Sequence, residues 1–265
     1  MSRIRRASQS WGLGLLCLTM AQLSWAAPSA QALLAASDAV RNPDQSFGLI
    51  NNLIEYRDGK QIDSSTLAVY ARADRKTGQF RNLIRFVAPQ RDAGKLLLKN
   101  GNDLWFFDPS SKASVRITPQ QRLLGQAANG DVMTVNLAGD YDASIGAEEE
   151  IQDGERQKRA SYRLDLTAKN NEVTYHRIEY WLDRNNSRPI KAKFYSNSDR
   201  LLKTAYYRHF QTSLGQERPT ETVIIDGLDP KWITVMRLSD WAYREVPESW
   251  FQRDYLPRFN PEQAQ

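Results

Sequence analysis

The side chains best suited to chemistry are scarce in this 265-residue chain. His176 and His209 are its two histidines, and Cys17 is its one cysteine. Two histidines exclude a histidine-rich zinc site by count, and none of the carboxylates stands at a recognisable metal-ligand spacing from them. No serine lies in a G-x-S-x-G setting, and no glycine loop has phosphate-cradling spacing. A Ser-His-Asp triad assembles from distant positions, so its absence from the local pattern does not exclude a hydrolase. Paired carboxylates for sugar chemistry have no distinguishing mark here. The run Glu148-Glu149-Glu150 reads most simply as an exposed strand start or turn. The two histidines read as strand residues satisfied by their neighbours. No catalytic residue, metal or cofactor is assigned, and the chain is not expected to be an enzyme.

Cys17 belongs to a segment with another purpose. Arg3, Arg5 and Arg6 are followed by the short apolar run Leu13–Met20, and then by Ser24-Trp25-Ala26. A basic start, a short apolar centre and small residues at the end make an export signal. The run is far short of the ~20 residues of a membrane span. Cleavage is expected near Ala26. Leu16, not a small residue, precedes Cys17, so lipidation is not expected. Removal of residues 1–26 takes the cysteine and three arginines. The remainder carries 33 basic against 31 acidic residues, a net charge of +2 instead of +5. Without cysteine it depends on packed apolar area for stability, although its destination is oxidising. No basic motif that reads bases is present, so nucleic acid is not an expected partner.

The elements after the signal change period once. Ser29 can cap a helix running to Arg41, with Leu33, Ala36, Ser37 and Val40 on one stripe and Asn42-Pro43 as its stop. From Ser46 onward the period is two. Strands are expected over 46–57 and 62–73 about the turn Asp58-Gly59, then over 79–88, 93–100, 103–108 and 113–117. The connections are too short for crossover helices, so neighbours pair antiparallel. Residues 118–143 interrupt the series. Thr118, Pro119 and Gln121 spell a helix start, and Leu123 and Leu124 give that helix an apolar side. A connection this long usually has a job. Strands resume near Ser144 and continue over 158–168, 173–183, 189–196, 200–211, 219–226 and 231–238, joined by hairpins. Trp250–Leu256 reads as a short terminal helix halted at Pro257. The absence of repeats and linkers favours a single domain over 27–265.

About a dozen strands do not form one flat open sheet; they curl, split into a sandwich or close. A membrane barrel would need one uncharged phase through its midplane. Here Arg177 and Glu179 lie on one phase and His176 on the other, with Lys203 and Arg208 likewise opposed. A curled sheet with helices over its apolar face would enclose a space suited to a greasy ligand. In "NDLWFFD", Trp105 and Phe107 point one way and Phe106 the other.

The segment 81–118 carries a resemblance. Arg81, Arg85, Phe86 and Pro89, then Leu104, Trp105 and Pro109, then Arg116-Ile117, form a pattern similar to the LolA-like outer-membrane lipoprotein-sorting family, and closest to its larger periplasmic branch. In that branch a Gly-, Ser- and Asp-rich segment commonly follows. Here 130–142 stands in its place with altered residues, keeping Asp131 and Asp140. The chain also has extra length at its C-terminal end. The resemblance implies a mainly β fold: one strongly curved antiparallel sheet of about 11–13 strands, an incomplete barrel, with short helices as a lid.

The resemblance also implies a function. A soluble, monomeric periplasmic protein of a Gram-negative bacterium would hold lipid or lipoprotein acyl chains and assist their transfer between membranes. An inner-membrane transporter and an outer-membrane acceptor would be its partners. Leu33, Val40, Leu123 and Leu124 are the expected lid contacts, and Phe86, Leu97, Trp105 and Phe107 the expected sheet contacts. Arg81 and Arg85 are candidates for the cavity mouth. The alternative is a scaffold of an inner-membrane export complex that carries no ligand, with an envelope hydrolase behind it.

Overall fold

The computed structural model describes residues 28–74 and 77–263. The expected signal over 1–26, including Cys17, lies outside the described residues. The first helix, α1 (Ala30–Arg41), starts where Ser29 accepts the Ala32 N–H and ends at Asn42. Its buried stripe runs through Ala30, Leu33, Leu34, Ser37 and Asp38, rotated from the expected one. Polar contacts account for the rotation. The Asp38 carboxylate accepts the Ala138 N–H at 2.8 Å, and the Ser37 hydroxyl lies 3.1 Å from that of Tyr180.

Strands follow in chain order. They are β1 (Phe47–Arg57), β2 (Lys60–Ala73), β3 (Phe80–Ala88), β4 (Leu96–Asn100), β5 (Asp103–Asp108) and β6 (Ala113–Arg116). A small hairpin of β7 (Arg122–Leu124) and β8 (Ala127–Ala128) comes next. After a 3₁₀ turn over Asn129–Val132 and a one-turn helix α2 (Leu137–Asp140) come β9 (Tyr141–Gln152), β10 (Lys158–Ala168) and β11 (Arg177–Asp183). The last are β12 (Pro189–Tyr195), β13 (Leu201–Ser213), β14 (Gln216–Asp226) and β15 (Trp232–Tyr243). The β1–β2 turn has positive φ at both Asp58 and Gly59, +50° and +77°, as an Asp-Gly hairpin requires.

Among the described residues thirteen strands form one antiparallel sheet in the order β6-β5-β4-β3-β2-β1-β15-β14-β13-β12-β11-β10-β9. Two meanders meet where β1 pairs with β15, with Leu53 opposite Met236 and Asn51 opposite Leu238. The strand number falls within the expected range, but the strongly curved incomplete barrel does not form. The sheet is open and not strongly curled, and its edges β6 and β9 do not pair. The edges are guarded in other ways: β6 is only four residues long, and β9 carries Glu148, Glu149 and Glu150. The acidic run is therefore part of an edge strand.

Openness has a topological consequence. The chain leaves the sheet at one edge, β6, and re-enters at the opposite edge, β9. Residues 117–140 must cross the whole sheet between them. This crossing segment and α1 cover one face, here called inner. Their core includes Leu34, Leu53, Leu67, Ile84, Leu164 and Tyr180. The sheet therefore gains an apolar partner without closing on itself.

The crossing segment also corrects the expected helix after Thr118. The Thr118 N–H does donate to the Gln121 side chain at 2.9 Å, but only a turn follows, and then the β7–β8 hairpin. Gly125 explains the preference. It sits at φ +52° with an added Cβ falling 2.3 Å from Thr234 Oγ1, so the hairpin tip presses directly on β15. The C-terminal segment likewise forms no α-helix. It runs as 3₁₀ turns over Glu248–Phe251 and Arg253–Arg258, with Pro257 inside the second. These turns cover the outer face, where Trp250, Phe251 and Leu256 pack on Leu83, Leu96, Leu98 and Phe107.

Candidate functional site

Between the inner face and the crossing segment lies a cavity of about 190 Å³. Its sheet wall is apolar, with Leu49, Val69, Ile178, Phe194, Ile224 and Met236. Its roof is Val132, Met133, Val135 and Leu137 of the crossing segment. Alternation along β1 explains the wall, because Phe47, Leu49, Asn51 and Leu53 share one phase. Asn51 is the exception within that run. It is only 1% exposed, and its Oδ1 has no hydrogen-bond partner among the described residues.

The roof is held by polar ties. Asn82 makes a reciprocal pair with Thr134: its Nδ2 donates to the Thr134 carbonyl at 3.0 Å, and its Oδ1 accepts the Thr134 N–H at 2.8 Å. Asn42 Nδ2 donates to the Val135 carbonyl at 2.9 Å. Gln79 Nε2 donates to the Asn136 carbonyl at 2.9 Å and to Asp140 Oδ1 at 2.8 Å. Gln31 Nε2 donates to the Ala138 carbonyl at 2.7 Å. None of these side chains is apolar, so binary patterning does not reveal them.

At the β8 end the roof is fixed by a buried cluster around Asp131. Its Oδ1 accepts the Tyr175 hydroxyl at 2.7 Å, and its Oδ2 accepts the Ala128 N–H at 2.6 Å and pairs with Lys203 Nζ. Lys203 also donates to the Gln126 carbonyl at 2.9 Å. Burial pushes the Lys203 pKa down, and Asp131 only partly restores it. Burial, reinforced by Asp131, pushes the Tyr175 hydroxyl well up, so it stays a hydrogen-bond donor. At the other end burial raises the Asp140 pKa against the pull of Lys99. Asp131 and Asp140, the two aspartates kept in the altered segment, are thus both anchoring residues. Gly130 permits the approach, since a Cβ there would lie 1.9 Å from Thr174 Oγ1.

The residues expected at the site divide between the two faces. Leu33, Phe86 and Leu97 enter the inner core, and Leu123 and Leu124 pack against it while partly buried. Val40 is only partly buried, near the end of α1. Phe107 and Trp105 belong to the outer cluster, with Arg253 over the Trp105 ring at 4.4 Å. Arg81 is also outer: it pairs with Glu248 and lies 5.3 Å from the Phe251 ring centroid. Arg85 shares its strand phase and faces Tyr70. None of these ten residues lines the cavity. Leu104 and Phe106 take the inner positions on β5, so the alternation in "LWFFD" is as expected and its polarity is reversed.

Among the described residues no group of three or more His, Cys, Asp and Glu could hold a metal ion. His209 lies 3.6 Å from both Glu155 and Glu221 on the outer side of β13, apart from the cavity.

A family model described only as an uncharacterized protein matches residues 78–258. A LolA superfamily protein from Nitrosomonas europaea is 33% identical over 86% of this chain and 100% of that one, with a TM-score of 0.77. A DUF1329 family protein from Desulfovibrio piger is 22% identical over 86% of this chain and 97% of that one, at TM-score 0.72. A Vibrio parahaemolyticus domain described as an outer membrane lipoprotein-sorting protein is 17% identical over 86% and 98%, at TM-score 0.70. The last two speak to the fold alone. No curated protein matches the sequence.

Proposed function

This chain belongs to the LolA superfamily, and we propose that it is a non-catalytic periplasmic carrier that takes up the acyl chains of a lipid or lipoprotein beneath its crossing segment. The observation that carries this reading is the pairing of an apolar wall with a roof held by polar ties. When the roof is lifted its hydrogen-bonding groups can be re-hydrated, and the cost that remains is the exposure of apolar roof residues such as Val132 and Met133. The 190 Å³ cavity is smaller than the ~300 Å³ at which ligand pockets begin. Loading therefore requires the roof to move outward. Each methylene that then leaves water contributes about 0.8 kcal/mol, enough over several carbons to offset the broken ties.

Within this reading residues 1–26 direct export and are removed near Ala26. Residues 27–265 work as one domain, monomeric in the envelope of a Gram-negative bacterium. An inner-membrane transporter would load the carrier and an outer-membrane acceptor would receive its cargo. The test is gentle extraction of the protein from its host's envelope, followed by native mass spectrometry. Co-purified lipid, or uptake of a fluorescent fatty acid by emptied protein, is expected. Failure of both would overturn the carrier reading. Leu123→Asp, in β7 of the hairpin, should weaken loading if this part of the roof moves.

A further inference from the structure

Beside the apolar cavity lies a groove of about 490 Å³ at the end of the sheet where β1 stops, β13 and β15 begin, and the β7–β8 hairpin crosses. Four cations line it, Arg57, Arg122, Arg200 and Lys203, against two carboxylates, Asp226 and Asp229. The carboxylates are partly committed. Asp226 Oδ1 accepts the N–H groups of Leu228 and Asp229 at 2.8 Å each, within its own turn. Asp229 makes a single 3.2 Å contact with Arg57. Arg122 and Arg200 form no ion pair among the described residues.

Trp232 organises the cations. The Arg57 and Arg122 guanidinium carbons lie 4.2 Å and 4.4 Å from its ring centroid, and its Nε1 donates to Glu55 at 2.6 Å. Stacking holds the guanidinium groups in place without using their N–H donors, of which Arg57 spends one on Asp229. A guanidinium fork with free donors, as on Arg122, matches the oxygens of a phosphate. The groove and the cavity share Tyr175, whose hydroxyl is bound to Asp131. Leu228, 78% exposed, stands on the groove's lining.

We propose that this groove binds the phosphate headgroup of an anionic lipid whose acyl chain lies in the adjoining cavity. The inference rests on the carrier reading for the chain and adds the class of head. A phosphate monoester is favoured over a zwitterionic head, because Arg122 and Arg200, which form no ion pair among the described residues, repel a choline. Arg122 acts from the roof, Arg57 from the end of β1 and Arg200 from the turn that leads into β13, so a bound phosphate would bridge roof and sheet.

The test uses the purified, delipidated protein and three probes in calorimetric titrations: lysophosphatidic acid, a monoacylglycerol of the same chain, and glycerol 3-phosphate. Lysophosphatidic acid should bind at least tenfold more tightly than the monoacylglycerol. That advantage should shrink with added salt and should vanish in Arg122→Gln, whose site is exposed, with monoacylglycerol binding unchanged. Arg200→Gln should reduce it as well, and matching thermal melts would confirm that both variants fold. Equal binding of the two acyl probes would overturn the headgroup site and leave the carrier standing. Binding of neither would overturn the carrier reading and this inference with it. Glycerol 3-phosphate binding as tightly as lysophosphatidic acid would overturn the assignment to lipid.

Discussion

The two faces of the sheet are covered by different physics. On the outer face the C-terminal turns bury Trp250 and Phe251 at 0% and 1% exposure against Leu83, Leu96 and Leu98. Tyr70 and Phe259 complete an edge-on aromatic cluster about Trp250, with centroids 5.1 Å and 4.6 Å away. On the inner face the roof leaves a cavity and is fastened by Asn82, Asn42, Gln79, Gln31 and the Asp131 cluster. Beyond the hydrogen bonds from Asn100 to the Phe251 carbonyl and from Arg72 to the Val246 carbonyl, and the Arg81–Glu248 pair, the outer contact is apolar and has no partial opening that water can stabilise. A set of amide and carboxylate ties does, because each freed group finds water. On the carrier reading proposed above, the outer cover stays in place and the inner one opens.

The largest effect should come from breaking the permanent cover. Trp250→Ala should lower stability by about 3–5 kcal/mol, read by chemical denaturation, with uptake of fluorescent fatty acid retained wherever the variant is folded. Loss of uptake ahead of unfolding would erase the distinction between the faces. Asp131→Ala deprives the buried Lys203 of β13 of its ion-pair partner beneath the roof and should cost about 3 kcal/mol. It should also increase hydrogen exchange across 126–140 before the rest of the sheet. Uniform exchange would mean that the roof opens only with the whole fold.

A smaller change should be favourable. Asn51→Leu removes the unpartnered Oδ1 from the cavity wall and should raise stability by about 1–2 kcal/mol, measured as a higher denaturation midpoint. A loss would mean that Asn51 is satisfied in solution, by water within the cavity. The smallest effect concerns the outer face beyond the C-terminal turns, where Glu221 is buried between Arg208 and Arg237. Burial works against its charge, but the hydrogen bonds from Arg237 and Arg208 outweigh it and hold its pKa below the ordinary 4.5. A depressed carboxylate stabilises fully above 4.5 and loses that contribution as pH falls through its folded value. Glu221→Gln should therefore flatten the acid limb of the stability profile below pH 4.5 and leave ligand uptake unchanged.

Much of the architecture was legible from short-range pattern. Period-two alternation located nearly every strand of the sheet, Asp58-Gly59 announced its turn, and Ser29 and Asn42 bounded α1, because these depend on local backbone preference. The helix expected after Thr118 failed for a reason beyond local sequence. Gln121 makes its local bond, but contact of Gly125 with Thr234, 109 residues away, favours a hairpin. The site was less legible than the fold. Alternation separates Trp105 and Phe107 from Phe106, yet the phase that faces the roof depends on which cover each face receives, and both covers are distant in sequence.

What the sequence determined by itself was the strand count, the antiparallel pairing and the scarcity of catalytic side chains. These follow from residue type and spacing within a dozen positions. Tertiary structure alone decided that β1 pairs with β15, that the sheet stays open, and that residues 117–140 must cross it from edge to edge. It also decided that Asp131, Lys203 and Tyr175 meet beneath that crossing. Such contacts join positions tens of residues apart, and only the closure of the chain around one apolar face brings them together.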